Sequence, residues 1–453
     1  MVDQNSPADS PSGFSKGYLG YALAIVLLAN IINYLDRMVV SGLELEIKAQ
    51  FGITEGSQDA WKYGLLWTAF TVGYMLTSPV IGYFADRWRR TRMFAGCVLL
   101  WSLATIGCGL ATNYWFFLAM RVLTGVGEAG CLVIGPTLLA DYFPPAQRGR
   151  ILAILFLGAP LGGALGYVTA GQAGWHAFYY AGFPGIPIAL AIYLLAEPTR
   201  GASEQGLAGS HAPAATSNNL ASYLALFKIR TLRYIILAQA FAAFTLVPLM
   251  HFGIGYFEDL QMEKKTVTNT LGVLVFFGGI GGAVIGGLLG DKLRKTDPGA
   301  YALLAGLGFL IGFPSMIAAL YLAPHMICFV ALFVTFTAFF MCMPLVNTQI
   351  ANSVPATQRA LAFAAAVFVL HVLGDFTSPP LFEFISAKIG PGDIAATSDL
   401  ASMAEMRAAA RLKTFVGFSF SLLLSSMFCF MAWRAAQTDT QTSTVEPVPA
   451  PEG

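Results

Sequence analysis

Apolar runs of roughly 20 residues recur along the whole chain, and each is long enough to cross about 30 Å of hydrocarbon as an α-helix. Of the 453 residues, 56% are hydrophobic and only 11% are charged, whereas about 25% of the residues of a soluble domain are charged. So few charges could not cover the surface of a soluble protein of this length. The sequence therefore predicts an all-α membrane protein with many spanning helices.

Hydropathy predicts twelve transmembrane helices, which we call spans one to twelve. In chain order they cover residues 18–47, 62–86, 91–111, 113–142, 150–171, 176–197, 231–257, 268–290, 299–321, 325–352, 358–387 and 408–434. We expect residues 18–197 to form an N-terminal six-helix bundle and residues 231–434 a C-terminal one. Residues 198–230 are rich in Gly, Ala and Ser and are predicted to be a cytoplasmic linker that ends in a short interfacial helix. The polar ends, 1–17 and 435–453, are predicted to be disordered.

Lysine and arginine residues are divided unevenly between the two sets of loops. The segments on the side of the N-terminus, such as "RWRR" at 87–90, hold more of them than the segments on the other side. Basic loop residues concentrate on the cytoplasmic side of a membrane, so the sequence predicts that both termini are cytoplasmic. The first apolar run is too long for a signal-peptide core, and we interpret it as a retained first span.

Several classes of function are excluded by what the sequence lacks. The formal net charge is +1, which provides no basic surface for nucleic acid. The six cysteines stand singly in apolar segments, and no metal-ligand spacing, HExxH, GxSxG or G-x-x-x-x-G-K-(S/T) motif is present. The sequence therefore predicts that the protein is not an enzyme and holds no metal or cofactor.

Two loop motifs occur once in each half of the chain. "GYFADRWRR" at 82–90 follows span two and "GLLGDKLRK" at 287–295 follows span eight, and both fit G-x-x-x-D-(R/K)-x-(R/K)-(R/K). "PPAQRGR" at 144–150 and "VPATQRA" at 354–360 form a second pair at nearly the same offset. The chain is therefore a duplicated six-span unit. Duplication favours a secondary transporter, and a structural or receptor-like role would leave it unexplained.

These loops, together with "RVLTGVGEAG" in span four, resemble those of the Major Facilitator Superfamily along essentially the whole chain. Three further stretches resemble bacterial members of its spinster family, which moves lysolipids and sphingosine phosphates. They are "NYLDR" at 33–37, "GEAGCLVIGPTLLADYF" at 127–143 and "HVLGDFTSPPL" at 371–381. The resemblance implies the major facilitator fold and alternating access in a bacterial inner membrane, and we expect a monomer.

The resemblance also implies a conformational latch, in which Asp86 and Asp291 pair with neighbouring helix ends. A carboxylate suits the positive end of a helix dipole. The second loop departs from the family pattern because it carries Lys292 instead of arginine, a conservative change. The latch residues implied in this way are Gly82, Asp86, Arg87, Arg90, Arg148, Asp291, Lys292 and Arg359.

Charged residues also lie inside predicted spans, where each costs about 2.5–3.5 kcal/mol and normally faces a partner or a water-filled cavity. Asp36 and Arg37 lie in span one, and Arg121 and Glu128 lie in span four. At about 1.5 Å per residue, they fall within one or two helical turns of the same depth. In a facilitator fold both spans line the cavity, so we expect one cluster of two acids and two bases. The alternative is a purely structural salt-bridge network between the two spans.

We expect this cluster to bind substrate and to couple its movement to protons. Arg37 and Arg121 would bind a phosphate, whereas Asp36 and Glu128 would carry protons. The other expected substrate contacts are Asn33, Tyr34, Phe244, His251, Phe336 and Phe340. For His371 and Asp375 in span eleven, structural polar packing and substrate contact both remain open.

The predicted cores of spans seven, ten and eleven contain no lysine or arginine but many aromatic residues, as in "FVTFTAFFMCMPL". Such a wall suits an acyl tail, which gains about 0.8 kcal/mol per buried methylene, better than it suits the hydroxyls of a sugar. The sequence therefore predicts proton-coupled transport of a phosphate-bearing lipid of lysophospholipid or sphingosine-phosphate type. The alternative substrate is a soluble organic anion such as a sugar phosphate, because "NYLDR" also resembles anion symporters. The expected partners are the substrate, protons and membrane lipids.

Overall fold

The computed structural model describes residues 14–53, 59, 61–85, 87–199, 226–354, 358–389 and 400–443. Within these ranges the chain is helical almost throughout and contains no β-strand, which confirms the all-α prediction. Eleven helical stretches in the described part are long and apolar enough to cross a membrane, and one of them, Arg150–Tyr193, contains two spans. The predicted linker and disordered ends lie largely outside the described residues.

The N-terminal half follows the predicted spans closely. Its helices are Lys16–Gly42, Trp61–Ala85, Arg90–Gly109, Tyr114–Tyr142, Pro145–Phe156 continued by Gly158–Ala173, and Ala177–Gly182 continued by Gly185–Tyr193. Polar side chains start two of them. Ser15 accepts a hydrogen bond from the Tyr18 N–H, and Asn113 accepts one from the Phe116 N–H, as N-cap residues do.

Spans five and six, which form one continuous apolar stretch, are separated at Gly174. Its φ of +54° lies in the left-handed region that glycine tolerates best. Directly after it, the Trp175 indole N–H donates to the Gly109 carbonyl at the end of span three, whereas the Ala196 N–H donates to the Tyr18 hydroxyl near the start of span one. Span six therefore runs back antiparallel to span five, so the described residues of the N-terminal half contain six spans.

Span one is shorter than predicted. It ends at Gly42, and after Leu43 the chain enters a separate short helix, Glu44–Gln50. Leu43 has φ −113° and ψ 22°, which breaks the helical repeat. The break turns the polar residues Glu44 and Lys48 of the short helix inward, where both are buried.

The C-terminal half has the same number of spans. Its helices are Arg230–Asp259, Lys264–Leu293, Ala300–Leu322, Cys328–Asn352, Arg359–His371 continued through a π-helical turn to Ser378–Ile389, and Leu400–Ser443. Span twelve is longer than its predicted range 408–434. Ala435 and Ala436 continue it because alanine has the highest helix propensity, so the predicted disorder does not begin at residue 435.

Glycines allow close helix packing at equivalent places in the two halves. A Cβ atom at Gly73 or Gly125 would overlap the backbone of the facing helix, where spans two and four cross. Gly282 and Gly286 have the same relation to the backbone of span ten, where it meets span eight. Small residues at such positions let membrane helices approach closely. The repeated contact agrees with a duplicated six-span unit.

We call the face where span one begins the terminal face and the opposite one the far face. Toward the far face the halves pack tightly, because a Cβ atom at Gly64 of span two would lie 2.8 Å from the Pro380 Cα atom of span eleven. The Thr68 hydroxyl also donates to the Phe376 carbonyl across this contact at 2.9 Å. Toward the terminal face, spans two and eleven diverge and leave a groove. The two halves therefore converge at the far face.

Gly125→Ala is expected to lower the unfolding temperature of the detergent-solubilised protein. The added methyl group would overlap the Phe70 carbonyl oxygen, which belongs to a helix backbone and cannot move aside alone, and overpacking of this kind costs about 1–3 kcal/mol. Gly96→Ala is the matched control, because nothing lies within 4 Å of its Cβ position. Equal unfolding temperatures for the two variants would contradict the close crossing of spans two and four.

Candidate functional site

The four charged groups singled out in spans one and four lie together as two ion pairs. The Nε atom of Arg37 lies 2.6 Å from Oε2 of Glu128, and Nη1 of Arg121 lies 3.8 Å from Oδ2 of Asp36. Three of these side chains are buried, whereas 16% of the Arg37 side chain is exposed. The cluster is therefore accessible mainly through Arg37.

Hydrogen bonding within this cluster is incomplete. Among the described residues, neither Asp36 oxygen has a hydrogen-bond partner, and the same holds for Oε1 of Glu128 and three nitrogen atoms of Arg121. A buried ion pair needs further hydrogen bonds to offset the desolvation of its charges. The protein does not provide them here, which favours a binding role over a purely structural cross-link.

Aromatic rings surround the Arg37 guanidinium. Its central carbon lies 5.1 Å from the ring centroids of Tyr34 and Phe70 and 5.3 Å from that of Tyr74. A guanidinium at this distance from a ring face is stabilised by cation–π attraction. The rings and Glu128 therefore hold the cation at the edge of a cavity.

This cavity, of about 210 Å³, lies between the two halves of the protein. It is lined from the N-terminal half by Tyr34, Arg37, Met38, Trp67, Phe70, Thr71, Tyr74, Ala159 and Gly163, and from the C-terminal half by Leu246, Val247, Met250, His251, Val275, Phe340, His371 and Asp375. Most of the lining is apolar or aromatic, with a few polar groups. Cavities of this composition bind small ligands and fix their orientation through the polar groups.

The C-terminal wall carries three titratable side chains. Nδ1 of His251 lies 2.8 Å from the Ser41 hydroxyl oxygen, and its ring stacks on Trp67 with 3.4 Å between centroids. Nδ1 of His371 lies 2.6 Å from Oδ2 of Asp375. Both residues left open by the sequence therefore line the cavity, and this wall is more polar than its lack of lysine and arginine suggested.

Asp375 belongs to the π-helical turn Val372–Thr377 within span eleven. Such turns are rare and occur often at functional sites, because the extra residue per turn changes the direction of nearby side chains. Here the turn follows His371 directly, so it contributes to how His371 and Asp375 meet at the cavity wall.

Two polar residues expected to contact substrate do not line the cavity. Asn33 is completely buried, and Arg121 is buried behind Phe70, with its guanidinium carbon 4.9 Å from the centroid of that ring. Its nearest acid is Asp36. Direct substrate contact by Asn33 and Arg121 stays a prediction, and in this conformation helix packing places neither side chain in the cavity lining.

Two expected aromatic contacts also lie elsewhere. The ring of Phe244 stacks on Phe418 of span twelve at 4.7 Å, and Phe336 is buried against Gly278 of span eight. Both rings therefore pack between helices in this conformation and do not line the cavity, and their contact with substrate stays a prediction. Phe340 does line the cavity.

A second set of buried charges, which was not predicted from the sequence, lies at the far face. Nζ of Lys48 lies 2.7 Å from Oε1 of Glu383 and 2.8 Å from Oε1 of Glu44. Arg411 pairs with Glu44, and its Nε lies 3.3 Å from Oδ2 of Asp259. All five residues are buried. Two belong to the N-terminal half and three to the C-terminal half, so this far-face network joins the halves.

The sequence does carry a signal for the far-face network. Glu44 and Glu383 lie inside predicted spans one and eleven, where an acid is unusual. Their basic partners, Lys48 and Arg411, fall in a predicted loop or at a span end, where charges are ordinary. The network is therefore not apparent from charges within the predicted spans alone.

Comparison with known proteins identifies the family. The sequence matches the Major Facilitator Superfamily over residues 26–379. It is 30% identical to protein spinster homolog 1 of Xenopus laevis over 416 residues, which cover 87% of this chain and 77% of the relative. Identity to the Bos taurus protein of the same name is 29% over 405 residues, covering 83% and 75%. The chain belongs to the spinster family.

The spinster-family chain has the fold of solved transporters. A crystal structure described as a bacterial homologue of the human lysosomal transporter spinster, inward-facing and unoccupied, matches with a TM-score of 0.83 at 23% identity, covering 96% of this chain and 100% of that chain. A crystal structure of a D-xylose-proton symporter matches with a TM-score of 0.69 at 16% identity, covering 91% and 97%. At these identities the likeness shows the fold alone, and it confirms the two-bundle prediction.

Among the described residues of the expected latch, Arg90 makes the most ion pairs and hydrogen bonds. It lies 2.6 Å from Oδ2 of Asp141 and 3.0 Å from Oε1 of Glu197. The Glu197 carboxylate also accepts a hydrogen bond from the Thr91 N–H at 3.0 Å. These contacts join the start of span three to the ends of spans four and six, so Arg90 ties helix ends together within the N-terminal half.

The remaining latch residues make fewer contacts. Arg87 donates to the carbonyl of Tyr83 at 2.9 Å, and a Cβ atom at Gly82 would make only ordinary contact with Val133 at 3.8 Å. Asp86 lies outside the described residues. Arg148 and Arg359 lie in helices, but their side chains are outside the description.

In the second copy of the loop motif, Asp291 accepts a hydrogen bond from the Tyr301 hydroxyl at 2.8 Å. Tyr301 lies in the first turn of span nine, so this acid does meet a neighbouring helix end. Lys292 is exposed.

Lys48→Met is expected to loosen the far face. The substitution leaves the Glu383 carboxylate buried without this counter-charge, and breaking a buried ion pair by removing one partner costs about 3–5 kcal/mol. Hydrogen–deuterium exchange should therefore be faster in the short helix Glu44–Gln50 than in the unsubstituted protein. Lys62→Met is the matched control. Lys62 lies 2.9 Å from Asp59, which belongs to the same half of the protein. Unchanged exchange in Lys48→Met would contradict a cross-linking role.

Proposed function

We propose that this spinster-family transporter moves a phosphate-bearing amphiphile of lysophospholipid or sphingosine-phosphate type by proton-coupled alternating access, as a monomer in a bacterial inner membrane. The observation that carries the proposal is the central cavity, where one partly exposed guanidinium, that of Arg37, borders a largely apolar lining. A single anionic head and an apolar tail would match these two parts.

The positions of the two halves support an inward-facing state. If the termini are cytoplasmic, the far face is the outside, and there the far-face network and the close contact of Gly64 with Pro380 hold the halves together. The groove between spans two and eleven opens toward the terminal face, which is then the cytoplasmic side. Alternating access would require the network to separate as the terminal face closes.

The head of the substrate would bind at Arg37. The Nε atom of this residue donates a hydrogen bond to Glu128, and its Nη2 group has no hydrogen-bond partner among the described residues. A guanidinium and a phosphate form paired, charge-assisted hydrogen bonds. The tail would lie against Leu246, Met250 and Phe340, where each buried methylene contributes about 0.8 kcal/mol.

A soluble organic anion is the second candidate, and one observation favours it. His251, His371 and Asp375 add polar groups to the C-terminal wall, which could satisfy the hydroxyls of a sugar phosphate. The two candidates differ in whether affinity depends on an apolar tail.

A tail-length series separates them. Uptake into phosphatidylcholine proteoliposomes is measured for lysophosphatidic acids of increasing tail length and for glycerol phosphate. The lipid proposal predicts affinity that rises by up to about fourfold per methylene, and Arg37→Gln should weaken binding of every member. Arg87→Gln is the control for loss of an arginine, because Arg87 is exposed and bonded locally. Affinity that ignores tail length, or is equal for glycerol phosphate, would favour the soluble anion.

Proton coupling would arise because the substrate phosphate and the Glu128 carboxylate compete for the Arg37 guanidinium. A phosphate on its guanidinium weakens the attraction between Arg37 and Glu128, which lie 2.6 Å apart. The Glu128 carboxylate is buried, and a buried carboxylate that loses its counter-charge is favoured in its neutral, protonated form. Arg121 cannot replace Arg37 without leaving Asp36. Substrate binding would therefore be linked to proton uptake.

Glu128→Gln is expected to abolish the pH dependence of transport while preserving substrate binding, because the amide keeps the shape of the carboxylate but takes up no proton. Asp36→Asn should reduce the pH dependence through Arg121. Glu263→Gln is the control, because Glu263 is an exposed acid outside the cluster. The measurement is initial uptake rate against pH in proteoliposomes. Full pH dependence in both cluster variants would contradict proton coupling by these residues.

A further inference from the structure

The groove between spans two and eleven is a second cavity, of about 660 Å³, on the terminal side of the first. Span two contributes Leu76 and Pro79, and span eleven contributes Ala364, Val367 and Phe368. Their side chains are apolar, so the groove offers a ligand hydrophobic contact and few hydrogen bonds.

The groove borders the central cavity. Tyr74 and His371 line both, and their rings are in contact, with 5.6 Å between centroids. The Tyr74 ring also faces the Arg37 guanidinium at 5.3 Å. A ligand held at Arg37 would therefore enter the groove where these two side chains turn aside.

The other side of the groove faces the bilayer. Leu76 is 69% exposed, Phe368 61% and Val367 46%, and in a membrane-spanning helix such apolar surface contacts lipid tails. Near the far face the same two spans are sealed, because Gly64 fits against Pro380. The opening is therefore confined to the terminal part of the contact between spans two and eleven.

Local sequence keeps this part open. Pro79 lies inside span two and has no N–H to donate, which weakens the helix there and favours a bend. Across the groove, Ala364 and Ala365 present small side chains. Larger residues at these two positions would fill the space.

We infer that the groove is the subsite for the acyl chain of the amphiphile and its sideways route between the bilayer and the central cavity. The tail lies between spans two and eleven while the phosphate head reaches Arg37 past Tyr74 and His371. The inference rests on the proposed lipid substrate. It explains how an apolar tail reaches the site without crossing water, where exposure of each methylene is unfavourable.

The test fills the groove and compares two tails. Ala364→Phe places a ring in the groove, and Ala119→Phe places the same ring at an exposed position of span four that lines neither cavity. The probes are oleoyl and hexanoyl lysophosphatidic acid, with uptake measured in phosphatidylcholine vesicles. We expect Ala364→Phe to lower oleoyl uptake about tenfold, as for the loss of roughly two buried methylenes, and to spare hexanoyl uptake. Ala119→Phe should leave both unchanged.

The other outcomes separate the groove from the proposed function. If the unsubstituted protein prefers the oleoyl probe and Ala364→Phe keeps that preference, the groove assignment is overturned and the lipid substrate stands. If the unsubstituted protein does not discriminate between the tails, the lipid substrate fails and the groove assignment fails with it.

A second measurement, on the unsubstituted protein, tests the groove assignment without relying on the folding of a variant. A lysophosphatidic acid with a diazirine at the end of its tail is photolysed in the vesicles, and labelled peptides are identified by mass spectrometry. We expect labelling of residues 364–368 that excess oleoyl lysophosphatidic acid suppresses, while labelling near Ala119 by bulk lipid is not suppressed. Labelling of 364–368 that does not respond to the competitor would overturn the assignment.

Discussion

The ion pair between Arg37 and Glu128 connects the buried charges of the N-terminal half to the cavity. With 2.6 Å between the two atoms and Glu128 fully buried, each charge depends on the other, because charges in a low-dielectric interior are costly when unpaired. Arg121 and Asp36 lie farther apart, at 3.8 Å, and lack contact with the cavity. Under the proposed function, a ligand at Arg37 would therefore change the electrostatics of the whole cluster.

The far-face network also pairs buried charges, at the face where the proposed alternating access would require the halves to separate. An apolar seal would lose its burial energy on opening, at roughly 25 cal/mol per Å². Ion pairs such as Lys48–Glu383 instead regain hydration when they part, so their net contribution to the closed state is small although breaking one alone is costly. Arg407, which lies 2.9 Å from Asp259, adds a base to the two in the network and matches its three acids. Such a closure is specific yet reversible.

The sequence was sufficient to predict the spans, the duplication and the ion pairing between spans one and four. Hydropathy and the cost of a charge in hydrocarbon are properties of local segments, so they can be read from the sequence. It was insufficient to predict which side of each helix faces the cavity. Arg37 and Arg121 are equally good candidates by composition, yet packing around Phe70 places only Arg37 at the wall. The far-face network was not predicted either, because its residues are distant in sequence and several lie at helix ends.

The two halves share their packing but differ in their chemistry. Gly73 and Gly125 in one half and Gly282 and Gly286 in the other bring equivalent spans together, whereas the Arg37–Glu128 pair faces a wall with His371 and Asp375. Backbone contacts at glycines set the scaffold and tolerate no added side chain. The cavity residues are free of that constraint, so the duplicated fold can carry a cation on one side and histidines, an acid and apolar side chains on the other. A ligand with one anionic end and one apolar end fits the proposed site, because its anionic end would meet Arg37 and its apolar end would meet residues such as Leu246 and Phe340.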